Sequence, residues 1–413
     1  MISWAEVAIP RISATHAFSP LRLKSTATNT LVELPVDRDI RMYVCGITPY
    51  DSTHLGHAAT YIAFDLVNRY IRSSGQKMHF VENITDIDDP LLVRAKRDNV
   101  SWQSLATSQI ELFRGDMTDL HVIPPQNFIG AVESIPLVVD AVAVMKKRGA
   151  VYELEDDLYF RVNSDEKFGT RSHLTKENMI GIARERGGDP DRSGKEDPLD
   201  ALLWMQQRPD EPGWPSPYGT GRPGWHIECC AIALHYLPNS KEDAYCVDIQ
   251  GGGNDLQFPH HEIGASQARI LGGKDFARIY MHAGMIGLDG EKMSKSKGNL
   301  VLVSTLVSQG TDPMAIRLAL LTGHYSHDRM WDSQLLSDAQ TLLVRLRSCL
   351  SREEVATTSS VVATIIALLA NDLDTPGVIE KLKQWCEETE AGAIGGSAGE
   401  LSRALDALLG IAF

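Results

Sequence analysis

The chain has 413 residues, of which 43% are hydrophobic and 23% are charged, and its formal net charge is −14 at pH 7. This composition is typical of a globular protein with two or three domains, and no apolar run reaches the roughly 20 residues of a membrane span. The acidic balance argues against an extensive basic surface for nucleic acid, and the six cysteines lack the spacing of a disulfide framework. With no signal-peptide pattern at the N-terminus, we expect a cytoplasmic protein without a membrane partner.

An irregular segment precedes the first regular pattern. Residues 1–38 carry few periodic signals, and we expect an irregular leader that covers the edge of the core. A short buried strand is predicted at 41–46, a helix at 55–74 and the next strand at 78–83. This order predicts a βαβ unit, and hence an open parallel sheet whose ligand site lies at the carboxyl ends of its strands.

The middle of the chain interrupts this pattern. Residues 91–219 show helices, a hairpin and polar connectors rich in Gly and Pro, which predicts an inserted α+β domain. Strands and helices alternate again at 220–310, so we expect an α/β Rossmann-type catalytic domain split between 39–90 and 220–310. From 311 to 413 the pattern is helical, which predicts a C-terminal helical bundle.

The first motif with a chemical meaning is His54-Leu-Gly-His57, which follows the first strand and begins a helix. A helix N-terminus offers unpaired N–H groups and a positive dipole, Gly56 lets a nucleotide approach closely, and two imidazoles can donate to a phosphate. Taken alone, the motif also fits two surface or capping histidines.

A second motif is the polar loop at 291–299, which carries Lys292 and Lys295 in the sequence KMSKS. Such a loop can close over a triphosphate and neutralise the pyrophosphate leaving group, although alone it also fits a solvated basic loop. The HxGH motif followed much later by KMSKS resembles the paired signature of class I aminoacyl-tRNA synthetases.

A third group combines metal-binding side chains. Cys45 ends the first strand, Cys229 lies in the sequence WHIEC, and the pair His260-His261 follows a Gly-rich segment. These side chains can reach one cleft at the carboxyl ends of the strands. Two thiolates and an imidazole make a zinc set with one open coordination position, although buried free cysteines are also common in protein cores.

Five stretches resemble the cysteinyl-tRNA synthetases. They are MYVCG at 42–46, NITDIDD at 83–89, GWHIEC at 224–229, GGGNDLQFPHH at 251–261 and DGEKMSKS at 289–296.

This resemblance implies the class I synthetase fold, with one Zn²⁺ per chain held by Cys45, Cys229 and His260. The zinc would bind the thiol of the substrate L-cysteine, and its preference for a thiolate over a hydroxyl would exclude serine. The resemblance also implies which residues line a cysteinyl-adenylate pocket: Cys45, Gly46, Ile47, Thr48, Thr60, Asn83, Ile84, Thr85, Trp225, Gly253, Asn254, Asp255 and Ile286.

The departures from the cysteinyl-tRNA synthetase pattern are informative. Gly264 stands where those enzymes have a further zinc-binding Glu, Ala59 replaces the arginine after HIGH, and Ile47 replaces a proline. Three protein ligands are therefore expected, with the substrate sulfur as the fourth. The segment after Trp331 offers helices for stem contacts but little room for a separate anticodon-binding domain, so we expect no tRNA partner.

These departures, with the sequences at 45–61 and 185–190, resemble the ligases of actinobacterial mycothiol biosynthesis. That resemblance implies that the acceptor is the amine of 1D-myo-inositol 2-amino-2-deoxy-alpha-D-glucopyranoside (GlcN-Ins). The products would be the amide Cys-GlcN-Ins, AMP and diphosphate, and a monomer would bind the three small-molecule substrates L-cysteine, ATP and GlcN-Ins.

Roles in this chemistry follow as hypotheses. His54 and His57 would contact the phosphate of ATP, Lys292 and Lys295 would hold the leaving pyrophosphate, and Mg²⁺ would accompany ATP. The stretch at 185–190 is a candidate for acceptor recognition, or a solvated turn. The sequence identifies no general base for amide formation.

Two other interpretations remain at this stage. One is a true cysteinyl-tRNA synthetase with a shortened C-terminal region, which Ala59 disfavours. The other is a non-catalytic, synthetase-like binding protein, which the intact HIGH, KMSKS and zinc residues disfavour.

Overall fold

The computed structural model describes residues 1–50, 53–239, 241–288, 290–293 and 299–413. The strands of this described part are β1 (Arg22–Ser25), β2 (Thr30–Glu33), β3 (Ile40–Val44), β4 (Met78–Ile84), β5 (Asn127–Gly130), β6 (Val151–Leu154), β7 (Asp157–Phe160), β8 (Ala201–Gln206), β9 (Gly221–Pro223), β10 (Tyr245–Gly253), β11 (Asp275–Ala283), β12 (Ile286–Leu288), β13 (Glu291–Lys292) and β14 (Arg329–Trp331). Its α-helices are α1 (Leu55–Ser73), α2 (Asp89–Asp98), α3 (Trp102–Asp119), α4 (Ala131–Lys147), α5 (Lys176–Glu185), α6 (Trp225–Tyr236), α7 (Glu262–Gly272), α8 (Val303–Ser308), α9 (Pro313–Leu321), α10 (Ser333–Leu350), α11 (Ser359–Ala370), α12 (Thr375–Glu390) and α13 (Ala398–Leu409). Among the described helices, none combines the length and hydrophobicity that crossing a bilayer requires.

A parallel sheet of five strands, in the order β11-β10-β3-β4-β5, forms the centre of the fold. Along β3, Met42 and Val44 pack into one hydrophobic cluster, whereas Tyr43 packs into another. Successive side chains of a strand point to opposite faces, so both faces of this sheet are covered. The predicted parallel α/β fold is confirmed.

The segment predicted as an inserted domain contributes one strand to the central sheet. Within the segment 91–219, β5 pairs in parallel with β4 and therefore belongs to the central sheet. The four-residue strand is too short to show a periodic pattern. Gln126 prepares this pairing, since its side chain accepts from Phe80 N at 2.5 Å and donates to Met78 O at 2.7 Å.

The second half of the insertion forms a separate sheet that begins at β6. The strands β6, β7, β8 and β9 form an antiparallel sheet in that order, and α5 lies between β7 and β8 in the chain. This sheet packs against the core beside the central sheet, because Phe160 and Trp204 share a hydrophobic cluster with Ile227 of α6.

The leader is more regular than predicted. β1 and β2 form an antiparallel hairpin, and Leu21 and Leu23 are buried. The hairpin lies against the edge strand β11, where Thr26 N donates to Tyr280 O at 2.9 Å. Short strands of this kind are defined by their partner strand, which local periodicity does not show.

The C-terminal segment is helical except for β14, which pairs in parallel with β12. A buried ion network attaches these helices to α1. Asp65 of α1 binds Arg69, at 2.7 Å, and Arg317 of α9, and all three side chains are fully buried. Although burial opposes ionisation, the two guanidiniums lower the pKa of Asp65.

Candidate active site

Cys45, Cys229 and His260 meet at the carboxyl edge of the central sheet. Cys45 directly follows β3, Cys229 lies on α6, and His260 precedes α7. Their ligand atoms lie within 4.8 Å of one another, and all three residues are buried. His260 Nε2 lies 3.2 Å from Cys229 Sγ. This arrangement of two sulfurs and one imidazole could hold a metal ion.

The two sulfurs differ in their affinity for a proton. A hydrogen bond from the Cys45 thiol, together with His260, lowers the pKa of Cys229 well below its usual range. Burial raises the pKa of Cys45. Cys229 therefore loses its proton more readily than Cys45, and a bound cation would favour the thiolate form of both.

Buried histidines surround this group. His226 Nδ1 lies 3.1 Å from His260 Nδ1, and burial lowers the pKa of His226 well below its usual range. When a metal ion is bound, a neutral His226 can accept the proton of His260 Nδ1, which would leave the lone pair of His260 Nε2 for the metal. On the other side, His261 Nε2 lies 3.3 Å from Cys45 Sγ, and His261 Nδ1 lies 2.7 Å from His282 Nε2.

Trp225 closes one side of the group, because its ring stacks on that of His260 with 4.3 Å between centroids. Its position at the start of α6 follows from Gly224, the N-cap residue.

The two histidines of the HxGH motif lie at the first turn of α1. His54 is the N-cap residue, and its Nδ1 accepts from Gly56 N at 3.1 Å. The rings of His54 and His57 stack with 3.8 Å between centroids. His54 therefore caps α1 and also lines the cavity that is described below.

Asn83 organises the site from below the cavity surface. Its Oδ1 accepts from Tyr43 Oη and from Gly46 N, each at 3.0 Å. A side chain at Gly46 would place its Cβ 1.6 Å from Asn83 O, so this close approach of two strand ends requires glycine. Thr85 N donates to Ile47 O at 3.0 Å and joins the same two loops.

One large cavity, of about 1440 Å³, connects these groups. The predicted site residues that line it are Cys45, Gly46, Ile47, Thr48, His54, His57, Thr60, Trp225, Gly253, Asp255 and Ile286. The remaining predicted residues of the described region are not part of its lining: Asn83, Ile84, Thr85, Cys229, Asn254 and His260. Of these, Asn254 is exposed and the others are buried.

The predicted lysines of the KMSKS loop cannot be placed in this geometry. The backbone of Lys292 belongs to β13, and its side chain lies outside the described part of the structure, as does Lys295. Met293 lines the cavity just beyond β13, so the motif begins at the cavity.

Several cavity residues were not identified from the sequence. Glu228 and Asp88 are acidic residues of the cavity lining, and burial raises the pKa of Glu228 well above its usual range and that of Asp88 to about 6. The sequence could have identified His226 and Glu228, because both belong to the WHIEC motif. His282 lies on β11, and nothing in its sequence context relates it to Cys45.

Comparison with known proteins defines the class first. The family model for the tRNA synthetases class I (C) catalytic domain matches residues 32–341. The Mycobacterium tuberculosis methionyl-tRNA synthetase in complex with methionyl-adenylate is similar in structure, with a TM-score of 0.62 at 15% identity, over 91% of this chain and 88% of that chain. The chain therefore has a class I synthetase catalytic domain.

Its sequence relatives are more specific. The L-cysteine:1D-myo-inositol 2-amino-2-deoxy-alpha-D-glucopyranoside ligase of Kribbella flavida is 52% identical over 100% of both chains. The ligase of the same name from Nocardia farcinica is 50% identical, again over 100% of both chains. The chain belongs to this ligase family, and the family resemblance seen in the sequence is confirmed.

Proposed function

We propose that this enzyme joins L-cysteine to the amine of GlcN-Ins at the expense of ATP. In the first step the cysteine carboxylate attacks the α-phosphate of ATP, which gives cysteinyl-adenylate and diphosphate. In the second step the acceptor amine attacks the activated carbonyl, forms the amide and releases AMP. The observation that carries the proposal is that Cys45, His54 and His57 line one and the same cavity.

The donor set fits a zinc ion. Two cysteine sulfurs and one imidazole are soft and borderline ligands, they are buried, and Gly264 adds no fourth donor. When bound, zinc would hold the substrate thiol and favour it over the hydroxyl of serine. His226 and His261 would fix the orientation of the protein ligands.

We assign the binding of the ATP phosphates to the N-terminus of α1. Its N-terminus presents backbone N–H groups and a positive dipole, and His54 and His57 face the cavity there. We assign these histidines to the α-phosphate, and Lys292 and Lys295 with Mg²⁺ to the departing diphosphate. Each group stabilises charge that develops on oxygen, so the protein needs no nucleophile of its own.

The second step requires a group that accepts the proton of the amine. Asp88 lines the cavity beside Thr48, whose hydroxyl donates to it at 3.5 Å. Burial raises the pKa of Asp88 to about 6, so the carboxylate is the main form at neutral pH while remaining a useful base. The titratable groups around it are Asp89, Arg222 and the buried Glu228. We assign proton acceptance to Asp88.

The test has two parts. Cysteine-dependent exchange between ATP and labelled diphosphate, with serine as the control, measures adenylation alone. Mass spectrometry of the product formed after addition of GlcN-Ins measures amide formation. Exchange with cysteine and amide product are expected; exchange with equal rates for serine would contradict the thiol-binding role of Cys45, Cys229 and His260.

A further inference from the structure

The cavity is larger than a common ligand pocket. Ligand pockets commonly measure about 300 to 1,000 Å³, whereas this cavity measures about 1440 Å³. Its additional surface comes from the inserted segment. Six polar residues of that surface are paired with one another, and we call these six the insert wall: Asp157, Tyr159, Asp189, Arg192, Lys195 and Arg208.

The insert wall is built around two carboxylates. Asp157 is almost fully buried and accepts from Arg192 at 2.7 Å and from Arg208 at 2.6 Å. Asp189 accepts from Lys195 Nζ at 2.9 Å and from the hydroxyl of Tyr159. The Lys195 side chain is only 3% exposed, whereas that of Asp189 is 42% exposed. Buried donors therefore fix the Asp189 carboxylate, while part of that side chain remains exposed.

The charge balance of the insert wall indicates the kind of ligand. Its three cations bind carboxylates of the wall, so it carries no group of unpaired positive charges. A phosphate backbone would require such a group. Oriented carboxylates with neighbouring donors instead suit hydroxyl groups, each of which donates one hydrogen bond and accepts others.

The insert wall is also fixed relative to the adenylate half of the cavity. Arg186, at the end of α5, donates to Phe258 O at 2.5 Å and to Asp255 O. Asp255 lines the cavity, and Phe258 precedes the metal-binding His260 by two positions. Arg186 therefore holds the loop that carries Asp189 against the segment that carries His260.

We propose that the insert wall is the acceptor subsite, in which Asp189, held by Lys195 and Tyr159, accepts hydrogen bonds from the polyol ring of the amino-sugar acceptor distal to its amine. This inference rests on the proposed ligase function and assigns its acceptor specificity. The amine then points along the cavity to the activated carbonyl beside Cys45, and the polyol ring lies against the insert wall.

The test is the variant Asp189→Asn with Asp191→Asn as matched control. Asp191 belongs to the same loop, but it is 72% exposed, pairs with Arg184 and does not line the cavity. For Asp189→Asn we expect the KM for GlcN-Ins to rise about tenfold, because the hydroxyl then binds a neutral amide in place of a charged carboxylate. Cysteine-dependent exchange between ATP and diphosphate should stay within twofold for both variants.

Glucosamine, which lacks the polyol ring, separates recognition from a structural effect. The preference for GlcN-Ins over glucosamine in kcat/KM should fall about tenfold in Asp189→Asn and remain in Asp191→Asn. An unchanged preference, or equal losses with both acceptors, would overturn the proposal. If Asp189→Asn also loses the exchange between ATP and diphosphate, the variant Tyr159→Phe is used in its place. An unchanged preference for GlcN-Ins over glucosamine in Tyr159→Phe would then overturn the proposal. Absence of amide product from the unaltered enzyme would instead refute the proposed function.

Discussion

Replacing His226 tests how the metal-binding group is organised. His226 Nδ1 lies 3.1 Å from His260 Nδ1, and its neutral ring can accept the Nδ1 proton of His260, which would leave His260 Nε2 for the metal ion. In His226→Leu the N–H of His260 loses its partner in a buried setting. Loss of such an outer-shell partner weakens metal binding about 10- to 100-fold, or about 1.4 to 2.8 kcal/mol.

The assay is competition for zinc between the protein and a chromophoric chelator at constant pH, with circular dichroism to confirm the fold. His226→Gln retains an acceptor oxygen and should bind zinc more tightly than His226→Leu. An unchanged zinc affinity in His226→Leu would refute the reasoning. Equal losses in both variants would show that ring packing, and not the hydrogen bond, is what matters.

Three further predictions concern stability, pH dependence and backbone geometry. Asp65→Asn leaves buried guanidiniums, including that of Arg317, without their counter-charge and should destabilise the protein by about 3 to 5 kcal/mol in urea unfolding. Because the folded state lowers the pKa of Asp65, its contribution to stability is present above about pH 4 and is lost as the pH falls below that value. Asp88 should be ionised above about pH 6, so the single-turnover rate of amide formation should fall as the pH drops through 6, and Asp88→Asn should slow transfer and remove this limb. Gly46→Ala should displace the strand end at Asn83 and reduce cysteine adenylation at least about tenfold.

Each of these has a result that would contradict it. For Asp65→Asn it is an unfolding midpoint no lower than that of the exposed-pair control Glu380→Gln. For Asp88→Asn it is a pH profile identical to that of the unaltered enzyme. For Gly46→Ala it is full adenylation activity in a folded variant.

The fold was predictable where the sequence carries a strong local pattern. The helix expected at 55–74 is α1, and the strand expected at 78–83 is β4, because long apolar periodicity determines both. The hairpin of β6 and β7 was also predicted, but several other elements of three or four residues were missed. β5 and β14 exist through pairing with β4 and β12, and single-sequence periodicity contains no information on such partners.

The candidate site was predictable where motifs mark it. Cys45, Cys229 and His260 do come together, although they are far apart in the chain. The insert wall was anticipated only as the stretch at 185–190. Its full composition depends on the antiparallel sheet that brings Asp157 and Tyr159 of β7 to the same cavity, which spacing along the chain does not show.

The central claim is that this class I synthetase domain forms an amide on a small amine. The most direct measurement supplies one preparation of the enzyme with cysteine and ATP, and offers it GlcN-Ins in one reaction and tRNA in a parallel reaction. We predict Cys-GlcN-Ins with stoichiometric AMP in the first reaction and no cysteinylated tRNA in the second. Cysteinylated tRNA without amide product would contradict the account.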